Sequence, residues 1–167
     1  RAARGGPRAG SPGPLRPGLD RRGLRLRAGR PCRGGRPAPA PVAVRGVEGD
    51  DVSSSKNVAT SLKHYVGYSF PLTGRDRTPA WIPENYMREY FLPPFAAAVK
   101  AGARTIMVNS AEVNGVPGHV NHHLLTEVLR GELGFDGFVV SDWQDIKKLV
   151  TEWRVAADEK EATRQSV

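Results

Sequence analysis

At 167 residues the chain has the length of one ordinary domain, and its formal net charge is +8. That charge is unevenly spread: residues 1–50 carry 12 Arg, no Lys and 3 acidic residues, whereas residues 51–167 carry 13 basic against 14 acidic residues. The single cysteine, Cys32, excludes an intrachain disulfide, and no apolar run approaches the ~20 residues of a membrane-spanning helix.

The first 50 residues also hold 11 of the 19 Gly and 8 of the 14 Pro, with no period of 2 or 3.6. Such a stretch has little to bury, so residues 1–43 are predicted to be a disordered tail preceding a domain over residues 44–167. An arginine-rich tail can meet phosphates. No aromatic residue interleaves these arginines for base stacking, however, so nucleic acid is not the expected partner. Out-of-frame translation of GC-rich DNA gives the same residue mixture, and a shifted frame is then expected to restore domain-like sequence. The charged first residues lack the apolar segment of a secretory signal, and no compartment is assigned.

From about Val52 the texture changes. "VATSLKHYVGY" (Val58–Tyr68) reads as a β-type run with Lys63 and His64 near its end. "IPENYMREYFLPPFAAAVKAG" (Ile82–Gly102) places Met87, Tyr90, Phe91, Phe95, Ala98 and Val99 at helical spacing. Pro93 and Pro94 are expected to break or kink it, with a second helical piece starting there, and Gly102 to stop it. "RTIMVNS" (Arg104–Ser110) is a short strand and "NGVPG" (Asn114–Gly118) a loop. "NHHLLTEVLRGELG" (Asn121–Gly134) is an amphipathic helix with Asn121 as N-cap and Gly134 just past its end. "GFDGFVVSDWQDI" (Gly134–Ile146) contains the third strand, and "EWRVAADEKEATRQSV" (Glu152–Val167) reads as a final helix.

Strands alternating with helix-length crossovers imply a parallel sheet covered by helices. That allows an open doubly wound sheet or part of a (β/α)8 barrel. In both, functional groups gather at the C-terminal ends of the strands. Lys63–His64, Asn109–Ser110–Ala111–Glu112 and Ser141–Asp142–Trp143 all fall there.

Asp142 is the first candidate. A carboxylate at a strand end suits covalent attack on a sugar anomeric carbon, where the transition state is oxocarbenium-like. Trp143 beside it can pack on a sugar face. The competing role is a helix cap, Ser141 or Asp142 starting the next helix. Lys63 and His64 suit hydrogen bonds to sugar hydroxyls, and Lys63, if close, would keep Asp142 ionised. Arg75 and Asp76 of "GRDR" (Gly74–Arg77) line the pocket or pair with each other. Glu112 is a possible carboxylate partner, with a loop-fixing bond as its alternative. His122 and His123 belong to a helix surface, since no third metal ligand falls at a useful spacing. No phosphate loop, paired Cys or Gly-x-Ser-x-Gly elbow is present, so neither a metal nor an organic cofactor is expected.

The segments "VATSLKHYVGYSFPLTGRDR" and "IPENYMREYFLPPFAAAVKAGARTIMVNSAEVNGVPGHVNHHLLTEVLRGELGFDGFVVSDW" closely resemble the catalytic barrel of family 3 glycoside hydrolases, the β-glucosidase and exo-β-glucanase group. The resemblance implies a fragment of a (β/α)8 barrel, about three βα units, from a retaining exo-acting β-glycosidase. It implies Asp142 as nucleophile, Lys63 and His64 on the sugar hydroxyls, Trp143 flanking the sugar, and a β-linked glucoside or oligosaccharide as substrate. The family's acid/base residue has no counterpart in this chain, so the 167 residues alone are expected to be inactive. Two other classes stay in play: an Arg-rich nucleic-acid-binding protein, and a non-catalytic carbohydrate-binding remnant.

Overall fold

The computed structural model describes residues 39–166. In chain order it contains α1 (Pro39–Glu48), β1 (Ser61–Tyr65), α2 (Glu84–Tyr86), a π-helical stretch (Met87–Phe91), α3 (Leu92–Lys100) and β2 (Thr105–Val108). Then come the short strands β3 (Glu112–Val113) and β4 (Val116–Pro117), a 3₁₀ turn (Gly118–Val120) and a π-helix (His123–Glu132). β5 (Phe138–Val140), α4 (Asp145–Thr151) and α5 (Glu159–Ser166) complete it.

β1, β2 and β5 form one parallel sheet in the order β1-β2-β5. Ile106 of the central strand is fully buried, and its register partners are Leu62 and Val139. Around it lie Tyr65, Met87, Leu92, Leu124, Val128, Leu129 and Phe135 in one continuous core. Tyr65 is buried yet keeps its polar end satisfied: its hydroxyl donates to the Leu124 carbonyl at 3.0 Å. Its ring meets Phe95 edge-on with centroids 5.1 Å apart. Helix-length crossovers and a parallel sheet make this a run of βα units from a TIM-like barrel. Among the described residues β1 and β5 are the two sheet edges, and Phe138 on β5 is 67% exposed.

At Pro93 and Pro94 a second helical piece, α3, starts, as the sequence leads one to expect, and three other local expectations change. Both prolines sit in the first turn of α3, where the missing N–H costs no bond, and the wider Met87–Phe91 stretch leads into them. "NGVPG" is part of a hairpin rather than a loop. Asn114 and Gly115 both have positive φ, 53° and 82°, as a two-residue primed turn requires, and join β3 to β4. The Asn114 side chain also accepts from the Ile82 N–H at 2.7 Å and donates to its carbonyl at 2.8 Å.

The helix expected over Glu152–Val167 starts only at Glu159, after a separate helix that precedes it. α4 ends at Thr151, the chain turns through Arg154 at φ 53°, and α5 starts at Glu159. Asp158 accepts the Glu161 N–H at 2.8 Å and so caps α5, a role that needs it outside the helix. The boundary expected at Val44 also moves. α1 begins at Pro39, its Val44 is buried against Ala98 and Ala103, and its buried Glu48 accepts from the N–H and hydroxyl of Thr60. Residues 39–43 are therefore helical, and the rest of the expected tail lies outside the described residues.

Gly137 stands just before β5 because nothing larger fits. A Cβ there would collide with the Arg104 carbonyl and lie 2.7 Å from the Phe135 ring. Gly46 in α1 has nothing within 4 Å. Gly137→Ala should therefore destabilise the complete protein by about 1–3 kcal/mol. Gly46→Ala should stabilise it by up to about 1 kcal/mol. Denaturant midpoints of the two variants check the opposite signs.

A surface ion network joins the two π-helical segments. Arg88 grips Glu132 through its two terminal nitrogens, Nη1 and Nη2, at 2.6 and 3.0 Å, and its Nε reaches Glu84 at 2.5 Å. His123 meets Glu127 at 2.7 Å and Glu84 at 3.6 Å, while His122 stands 3.6 Å from Glu127. The Glu127 hydrogen bond raises the His123 pKa above its ordinary 6.5, and the same bond lowers Glu127 below its ordinary 4.5. A raised histidine stabilises fully below 6.5 and loses that contribution as pH climbs through its folded value. A lowered carboxyl stabilises above 4.5 and loses its contribution in acid. Stability from this pair should peak between those limbs. His123→Gln should flatten the alkaline limb in a Tm-versus-pH series, and an unchanged limb would contradict the assignment.

Candidate active site

The parallel register brings the C-terminal ends of β1, β2 and β5 to one rim. Met107 of β2 pairs with Val140 of β5, and Tyr65 of β1 with Val108 of β2. The β1–β2 register is irregular between Leu62 and Tyr65, and the Lys63–His64 and Tyr65–Val66 peptides are cis. Asn109, just beyond β2, anchors the rim. Its amide donates to the Tyr65 carbonyl, its side-chain nitrogen donates to the Val66 carbonyl at 2.9 Å, and its side-chain oxygen accepts the Ala111 N–H at 3.0 Å. A buried amide with all these bonds made locks the end of β2 onto the end of β1.

Asp142 lies two residues past β5, its side chain 18% exposed. It does not cap α4: Gln144 occupies that helix start in a left-handed conformation, without a side-chain cap bond. Its Oδ1 accepts the Trp143 N–H at 2.6 Å. Its Oδ2 accepts from Arg77 Nη2 at 3.1 Å and from the Ser110 hydroxyl at 3.2 Å, with His64 Nε2 at 3.9 Å. The Trp143 amide does most to hold the carboxyl below its usual range. Burial opposes this, and Arg77, Ser110 and His64 add to it. Asp142 is therefore an ionised carboxylate, oriented at both oxygens.

His64 is held below its ordinary value by burial first and by the neighbouring Lys63 charge second, against the pull of Asp142. Its ring lies 4.2 Å from that of Tyr68. The Tyr68 hydroxyl donates to Asp76, whose carboxylate stands 3.8 Å from Arg77. Tyr68 and Asp76 thus tie down the loop that delivers Arg77 to Asp142. Beside His64 opens a cavity of about 310 Å3, lined by Lys63, Tyr68, Tyr90 and Phe91 among others.

The sequence-predicted residues are distributed unevenly over this geometry. Asp142 and His64 come together. Lys63 is exposed on the cavity side, and the charge beside Asp142 is Arg77 rather than Lys63. Trp143 projects outward, 77% exposed, and touches Asp142 through its backbone. Arg75 is exposed on the same loop as Arg77, where its N–H and carbonyl bond Thr73 and Thr78. Glu112 contributes its carbonyl to Ala80 as part of β3. Arg77 and Ser110 are the residues the sequence reading undervalued. The "GRDR" motif marked the right loop, but nothing in it separates Arg75 from Arg77. Among the described residues no three metal-ligating side chains gather, and no helix is long and apolar enough to cross a membrane.

A parallel βα sheet with an oriented carboxylate on its C-terminal rim places the chain in the TIM-barrel-like fold class. Within that class the chain belongs to glycosyl hydrolase family 3: residues 39–167 match the model of the family's N-terminal domain. It is 53% identical over 131 residues to a lysosomal β-glucosidase of Dictyostelium discoideum, covering 75% of this chain and 16% of that protein. A β-xylosidase of Formosa agariphila is 42% identical over 115 residues, covering 68% of this chain and 16% of that protein. Among solved structures, a β-glucosidase of Listeria innocua in complex with glucose superposes with a TM-score of 0.72 at 29% identity. That match covers 76% of this chain and 18% of the other. The chain thus spans about a sixth of the length of these curated relatives.

Proposed function

We propose that the protein carrying this segment is a retaining, exo-acting β-glycosidase that hydrolyses O-glycosyl bonds, with β-glucosides as substrates. Asp142 is its nucleophile. The observation that carries this reading is the state of Asp142: ionised, held at both oxygens by Trp143, Arg77 and Ser110, and placed on the rim. In the first step a carboxylate oxygen bonds to the anomeric carbon as the glycosidic C–O bond breaks. A carboxylic acid from outside this segment protonates the leaving oxygen. Water then attacks the glycosyl ester, releasing sugar and restoring the carboxylate. Lys63 and His64 hydrogen-bond the sugar hydroxyls, Trp143 and Arg75 border the sugar, and the cavity beside His64 is the space into which it extends. The similarity to β-glucosidases supports the choice of glucosides over xylosides.

A 2-fluoroglucoside with a good leaving group tests this on the complete protein. The expected result is inactivation with the label on the peptide bearing Asp142. Labelling at Glu112 or Asp145 would remove Asp142 from its role.

A further inference from the structure

Behind the candidate nucleophile lies a second polar cluster that the hydrolytic steps do not use. Asp145, the first residue of α4, is buried, its side chain 1% exposed. Its Oδ1 accepts from Lys148 Nζ at 2.6 Å. Its Oδ2 faces His119 Nε2 at 3.8 Å, and His119 is itself 8% exposed. These two facing atoms are buried, and neither has a hydrogen-bond partner. Groups buried in this way are costly unless they serve each other.

Their position gives the pair a task. His119 sits in the 3₁₀ turn Gly118–Val120, at the end of the β3–β4 hairpin. Gly118 packs so tightly on the start of that hairpin that a Cβ would collide with the Asn109 carbonyl and lie 3.2 Å from that of Ala111. The two ends of the segment 109–119 are therefore held together. One end carries Ser110, which donates to Asp142. The other carries His119, which faces Asp145. Asp142 and Asp145 belong to one turn, in which the Asp145 N–H points to the Asp142 carbonyl at 3.4 Å. Next to His119, Val120 packs on the Leu149–Ala156–Ala162 core that joins α4 to α5.

We propose that His119 is a positioning residue for Asp142, acting through Asp145. Its imidazole, with the proton on Nε2, directs that N–H at Asp145 Oδ2 across 3.8 Å, an electrostatic contact longer than a hydrogen bond, and Lys148 satisfies Oδ1. The pair fixes the start of α4 and with it the Ser141–Gln144 turn. Ser110 and His119 then hold the same turn at two points from one hairpin. Burial keeps His119 neutral against the opposing pull of Asp145 and Asp142, and Lys148 pushes the same way as burial. A neutral ring still has the one N–H this contact needs.

The inference rests on the function proposed above, so the test separates the two. In the complete protein, His119→Leu should lower kcat on an aryl β-glucoside about tenfold, with KM within about twofold of the parent. His119→Gln, which keeps a donor, should recover most of that loss. Val120→Ala should lower Tm and leave kcat unchanged. Parent-like kcat in His119→Leu overturns the proposal, as does a Gln variant no better than Leu. Should His119→Leu fail to fold, Asp145→Asn should show the same loss of kcat at constant KM, and parent-like kcat there overturns it equally. An inactive parent overturns the glycosidase reading instead. Nitrogen-15 NMR of labelled histidine then decides the pair, with an Nε2–H tautomer of His119 that shifts in Asp145→Asn expected, and an Nδ1–H tautomer fatal.

Discussion

Asp142→Ala in the complete protein should cut hydrolysis of an aryl β-glucoside by at least ~10³-fold, an order of magnitude fitting the loss of a covalent nucleophile. Substrate binding should change far less, because Lys63 and His64 stay in place. The fold should survive as well. The Asp142 side chain is tied to Arg77, Ser110 and the Trp143 amide, none of which belongs to the central core. Azide should restore part of the lost rate by entering the space left by the carboxylate. It bonds to the anomeric carbon as the aryl oxide departs, giving a glycosyl azide of inverted anomeric configuration. Recovery of an azide of retained configuration would show that another residue still forms the covalent intermediate. A variant with parent-like kcat would end the assignment outright.

Arg77→Met should produce the second largest loss, about tenfold or more in kcat/KM. Its signature is the pH profile. In the proposed mechanism Asp142 must be ionised to attack, and Arg77 is one of the groups holding its carboxyl below the usual range. Removing that charge raises the Asp142 pKa, so the acid limb of kcat/KM against pH should move to higher pH. Arg77→Lys should return the limb part of the way, since it restores charge without the guanidinium geometry. The Arg77 side chain is 41% exposed, so salt should weaken its influence. The Trp143 amide and Ser110 still hold the carboxylate in these variants, which limits the displacement. An acid limb that does not move, together with unchanged kcat/KM, would reduce Arg77 to a loop contact. A shifted acid limb and a lowered kcat/KM in Arg75→Met, with neither in Arg77→Met, would mean that the loop adopts another arrangement in the complete protein.

Much of the architecture was legible in the order of residues. "TIMV" and "FVV" are short β-branched or apolar runs with polar residues directly after them, and both are strands that end where those polar residues begin. Gly102 and Gly134 end their helices at φ 103° and 68°, values that glycine tolerates and that make it a readable stop signal. Asn121 accepts the Leu124 N–H at 3.0 Å, as its place before the apolar stripe predicted. The Asn114–Gly115 dipeptide is a turn signal too, but strands of two residues leave almost no alternation to mark the hairpin around it. The Asp158-x-x-Glu161 cap was hidden by a helical composition running through it.

By itself the sequence determined that three parallel strands bring their ends to one rim, and that Asp142 stands on it. Strand period, crossover length and turn chemistry are local properties, each written into a few consecutive residues. Tertiary structure alone decided what surrounds that carboxylate. Arg77 reaches Asp142 across 65 positions, and Ser110 reaches it across 32. Neither separation leaves a periodic trace. The choice of Arg77 over Arg75 depends on a loop in which Arg77 takes φ 57° and Tyr68 fastens Asp76. The membership of α1 in the domain depends in the same way on Val44 meeting Ala98 and Ala103, and on Glu48 meeting Thr60. Such contacts follow from how complete elements pack, and the sequence of any one element does not contain them.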